Sequence, residues 1–158
     1  MHIVLAANPQ ADQPWVADAV AALARQTGAT IAVVSVDELE LERFAPAPRE
    51  VYLERAREAA RKAIERLAQH GTTATSTVLS GRAADRILEF AEDQQADLIV
   101  VGASARPALA ARLLGSVPMT LMERSPKPVM IVTHPDGLAP GDTDRHTDRD
   151  TADGDRAT

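Results

Sequence analysis

Asp97-Leu98-Ile99-Val100-Val101-Gly102 is the most apolar run in the chain, and its reading decides the fold. Four apolar residues follow one another without polar alternation, between a charged residue and a glycine. A run of this length, bounded this way, reads as a strand covered on both faces. Ile3 to Ala7, closed by Asn8-Pro9, reads the same way. Thr30 to Val36, rich in β-branched residues, reads as a further strand.

The segments between them carry helical periodicity. Trp15-Val16, Ala19-Val20 and Leu23 recur at helical spacing before Gly28, a fitting C-cap. Residues 37–48 are acidic, hold Pro46 and Pro48, and read as a loop. Residues 49–69 alternate Glu and Arg with Ala, Ile64 and Leu67, which makes a long amphipathic helix with i,i+4 charge support, ended by Gly71. Thr73 to Leu79 reads as a threonine-rich strand nearer an edge, broken by Gly81. Ala84, Ile87, Leu88 and Ala91 share one face of the next helix. Residues 103–115 form a small-residue loop, Ser116 opens a short helix to about Arg124, and Pro128 to Thr133 is the last strand. Strands alternating with helices predict an α/β fold, a parallel sheet with helices on both faces.

Composition bounds the function. With 158 residues the chain fits one domain. Its 45% apolar residues can bury a core, but with 3% aromatics that core is built from Ala, Val, Leu and Ile. The net charge of −6, with no concentrated basic face, argues against nucleic-acid binding. No cysteine is present, which excludes disulfides, thiolate metal sites and a cysteine nucleophile. The four histidines, His2, His70, His134 and His146, lack metal-ligand spacing. The start of the chain has no basic, apolar leader pattern, and no stretch approaches the roughly 18 apolar residues of a membrane span. A cytoplasmic protein without membrane contact is the expectation. The expected domain covers residues 1–134. From residue 135 to 158, aspartates interleaved with Arg145, Arg149 and Arg156 replace apolar residues, so this tail is expected to be disordered and acidic.

In an open parallel sheet, ligands bind beyond the carboxyl ends of the strands where the strand order reverses. Ala6-Ala7-Asn8-Pro9-Gln10 is one such end. Val101-Gly102-Ala103-Ser104-Ala105-Arg106, running on to Leu114-Gly115-Ser116-Val117, is the other. Glycine admits close backbone approach, and a serine N-cap leaves the N–H groups of the next turn facing an anion. Gly115-Ser116 equally fits an ordinary turn and cap. Neither a Walker motif nor a Gly-x-Gly-x-x-Gly fingerprint is present. Phosphoryl transfer needs metal-holding carboxylates, and none lies between Gly102 and Val117. No nucleophile–base pair is visible, so a catalyst is not expected; weak nucleotide hydrolysis is the remaining enzymatic alternative.

Ala96 to Gly102, Leu113-Leu114-Gly115-Ser116-Val117 and Ser125-Pro126-Lys127-Pro128-Val129-Met130-Ile131-Val132 together resemble the universal stress protein family, and Gly81-Arg82-Ala83-Ala84-Asp85-Arg86-Ile87-Leu88 is similar to the start of its third helix. The resemblance covers all but the tail. It implies a Rossmann-like sheet of five parallel strands in the order 3-2-1-4-5, like that of the adenine nucleotide alpha hydrolases. It implies a stress-response regulator that binds ATP or another adenine nucleotide, with or without magnesium, and a homodimer through edge strand 128–133. An exposed apolar edge needs covering, which favours the dimer independently. The implied nucleotide site comprises Ala7, Asn8, Pro9, Val34, Gly102, Ala105, Arg106, Gly115, Ser116 and Val117, with Arg112 as a further loop cation.

Three positions depart from the family's ATP-binding pattern. Ala105 stands where that pattern has a second glycine, at a cost of roughly 1 kcal/mol if the backbone there has positive φ. Asn8 stands where an aspartate is usual, and both donates and accepts. Pro118 removes a donor from the helix's first turn. These departures motivate two alternatives: a pocket for AMP or cyclic AMP, or a dimer that binds no nucleotide and acts through protein contacts.

Overall fold

The structure is a computed structural model that describes residues 1–38, 48–103 and 117–135. β1 (His2–Ala7) leads through a loop to α1 (Pro14–Thr27). Pro14 suits the first turn, where its missing N–H has no helical partner to lose. Gly28, at φ 68°, closes the helix and donates its N–H to the Ala24 carbonyl at 2.8 Å. β2 (Thr30–Glu38), α2 (Arg49–Gln69), β3 (Ala74–Gly81), α3 (Ala83–Asp93), β4 (Leu98–Gly102), α4 (Val117–Arg124) and β5 (Val129–Val132) follow.

The strands form one parallel sheet in the order β3-β2-β1-β4-β5, the order expected. The period of two along each strand divides the core. Ile3, Leu5, Ile31, Val33 and Val100 face α1 and α2. Val4, Ala32, Val34, Ile99 and Val101 face α3 and Leu121 of α4. Alanines at 17, 21, 24 and 60 face the sheet on the first side, which lets α1 and α2 sit close in a core almost without aromatics.

β2 and β3 are longer than the sequence expectation. Asp37 and Glu38 read as the start of an acidic loop, yet they pair with Ser80 and Gly81. The ladder overrides their weak strand propensity. Asp37 is buried, and its Oδ2 accepts a hydrogen bond from Ser80 Oγ at 3.3 Å. Gly81 is therefore the last residue of β3 rather than a break beyond Leu79, at a φ of 141° that favours glycine. β5 lies at the sheet edge. Pro128 and Val132 accept N–H bonds from Ile99 of β4 and from Ala103 just beyond it, so the alternate residues Val129 and Ile131 turn their backbone groups outward. The expected tail, apart from Pro135, lies outside the described residues. Among the described residues, no helix is long and apolar enough to cross a membrane.

Candidate functional site

The strand order reverses between β1 and β4. From β1 the chain steps to β2 and β3 on one side, and from β4 to β5 on the other. The connections therefore leave in opposite directions and open a crevice at the carboxyl ends of these two strands. Ala7 and Gly102 are the last strand residues on its two walls.

On the β1 side, Ala7 pairs with Ser35, whose buried Oγ donates to the Ala7 carbonyl at 3.0 Å. Asn8 makes an Asx turn: its Oδ1 accepts the Gln10 N–H at 2.9 Å. The acceptor of this side chain is thus used to shape the loop, which leaves the amide nitrogen as the group to offer a ligand. Pro9 follows in the same loop. Val34, one residue before the level of Ala7, is fully buried among the apolar side chains of the α3 face.

On the β4 side, the space above Gly102 belongs to α1. A Cβ placed on Gly102 would lie 2.2 Å from Gln13 Oε1, 2.7 Å from Gln13 Cδ and 2.9 Å from Val16 Cγ2. Gln13 reaches across the crevice, and its Nε2 donates to the Ala103 carbonyl at 2.8 Å. The close approach that this glycine permits is made by a side chain of the protein itself. Trp15, two residues on, sets its ring edge-to-face with His134 beyond β5, with centroids 4.5 Å apart.

From the Asn8 side a cleft of about 840 Å³ opens between α1 and α2, lined by Pro9, Ala11, Val51, Ala59 and Ala63 among others. Several of its charges are paired. Asp12 precedes α1, which begins at Pro14, and pairs with Lys62 of α2 at 3.2 Å. Asp18 receives Arg66 through Nε at 2.6 Å and Nη2 at 2.8 Å, and His70 Nε2 lies 2.7 Å away. The Arg66 hydrogen bonds hold the Asp18 carboxyl below its ordinary range; partial burial opposes this and His70 adds to it. The cluster clamps α1 to α2. Among the described residues, no group of three His, Asp or Glu side chains could hold a metal ion.

Of the residues singled out in the sequence, Ala7, Asn8, Pro9 and Gly102 flank the crevice. Val117 is half-buried at the start of α4, packed against the α3-face core, and Pro118 is buried one residue later. Ala105, Arg106, Arg112, Gly115 and Ser116 lie outside the described residues. Gln13 was not singled out. Nothing in a lone glutamine announces its target 90 positions away in the chain.

Comparison with known proteins agrees with this architecture. A sequence model of the Universal stress protein family matches residues 1–133. The Universal stress protein MJ0531 of Methanocaldococcus jannaschii is 35% identical over 86 residues, 54% of this chain and 51% of that protein; the chain thus spans about half the length of this curated relative. A crystal structure of a universal stress protein in complex with cAMP superposes with a TM-score of 0.67 at 26% identity, over 84% of this chain and 96% of that one. The universal stress protein from Archaeoglobus fulgidus superposes with a TM-score of 0.64 at 25% identity, over 84% and 93%. On this match to nearly the whole described fold, the chain belongs to the universal stress protein family.

Proposed function

We propose that this chain binds an adenine nucleotide in the crevice between the carboxyl ends of β1 and β4, and acts in the cytoplasm as a non-catalytic, homodimeric regulator of a stress response. The observation that carries the reading is the order reversal between β1 and β4, which opens the crevice flanked by Asn8 and Gly102. The similar structure described in complex with cAMP supports it.

In this reading the Asn8 amide meets the base, with Ala7, Pro9 and the backbone near Val34 around it. The segment carrying Ala105, Arg106, Gly115 and Ser116, with Val117 at the start of α4, meets the phosphate. Magnesium, where present, would be held by the phosphates, since that segment contributes no carboxylate. Asp12, a carboxylate on the β1 side, is spent on Lys62, which fits binding without turnover. Ala105, Pro118 and the Gln13 side chain all reduce the phosphate end, so the pocket favours AMP or cyclic AMP over ATP. The same occupation of the Gly102 niche favours, as a second reading, a dimer that binds no nucleotide. The dimer pairs β5 edges through the outward backbone groups of Val129 and Ile131.

Thermal shift with ATP, ADP, AMP and cyclic AMP separates these readings. A rise in melting temperature with an adenine nucleotide supports the first. No shift with any of them supports the second. ATP turnover well above background would overturn the non-catalytic assignment.

A further inference from the structure

Gln13 is the residue before α1, the N-cap position, where Ser, Thr, Asp or Asn would satisfy a free N–H of the first turn. It makes no such bond. Its carboxamide instead spans the crevice, donates to the Ala103 carbonyl at 2.8 Å and fills the niche above Gly102. A choice that is poor for the helix and specific for the crevice marks a functional position.

We infer that Gln13 is a self-occluding side chain: it occupies the Gly102 end of the crevice, and a nucleotide binds there by displacing it. This deepens the nucleotide-binding reading and rests on it. The geometry supports displacement. Among the described residues the carboxamide is held by one hydrogen bond, the side chain is only half-buried, and it is unbranched. Val16, also against Gly102, belongs to the core side of α1 and has no such freedom. Glutamine thus sets the affinity of the crevice by competing for it, and a shorter residue at position 13 leaves the niche open without disturbing the strands.

The test is calorimetric titration of AMP and of ATP into the full chain and into Gln13→Ala and Gln13→Ser. Serine is an N-cap residue, so it keeps α1 intact if alanine does not. Melting curves establish that each variant is folded. Both variants should bind tighter than the parent chain by roughly fivefold, the worth of about one net hydrogen bond. Equal or weaker binding by folded variants overturns occlusion and leaves the nucleotide reading standing, because a latch that merely positions the loop would lose affinity on truncation. Absence of binding by the parent chain and both variants overturns the nucleotide reading, and occlusion with it.

Discussion

Gly102→Ala tests the packing at the mouth of the crevice. The added Cβ would lie 2.2 Å from Gln13 Oε1 and 2.9 Å from Val16 Cγ2, and neither contact can stand. Gln13 can swing away, giving up its bond to Ala103 at a net cost of about 1 kcal/mol. Val16 must shift within a packed helix, which costs about 1–3 kcal/mol. Reduced backbone freedom in the unfolded chain returns about 0.5 kcal/mol. The net destabilisation is about 2 kcal/mol, or roughly 6 °C in melting temperature for a domain of this size. In a Gln13→Ala background the glutamine contact is gone and only Val16 resists. The same glycine substitution should then cost about 1 kcal/mol less, a coupling well above the additivity error of about 0.3–0.5 kcal/mol. Urea denaturation of the four proteins in this cycle measures it. Additive effects, or a Gly102→Ala chain as stable as the parent, would refute the packing argument.

Asp18→Ala should cost about 1 kcal/mol at neutral pH, since the partners are about one-third exposed. The folded carboxyl titrates below its ordinary value, so its contribution is present above that value and is lost as pH falls through the folded one. Urea midpoints of parent and variant should therefore differ at pH 5–7 and converge as pH falls below about 4; a gap that persists at low pH would deny the ion pair its role. Ile131→Pro removes an outward-facing N–H of β5 while leaving the bonds to β4, so light scattering should change from twice 16.9 kDa to 16.9 kDa, with the circular dichroism retained. Ending the chain after Pro135 keeps the Trp15–His134 contact and should leave the melting temperature within about 2 °C.

The fold was legible in the sequence because its central strands are buried on both faces. Leu98 to Val101 and Ile3 to Ala6 need no alternation to be recognised, and Gly28 marks a helix end by its chemistry. The ends of β2 and β3 were not legible. Asp37 and Ser80 carry loop-like side chains, and only their mutual register makes them strand. At the site, Asn8 and Gly102 were legible from their place at strand ends. Gln13 was not, because its partner comes from the other half of the chain and only the β1–β4 adjacency brings them together.

The most direct measurement is isothermal titration of the purified full chain, freed of bound ligand and refolded, with ATP, ADP, AMP and cyclic AMP. Micromolar binding of at least one of them, lost in Gly115→Val, is the predicted result. No heat with any of the four, from protein shown to be folded, would contradict the account and direct attention to protein partners instead.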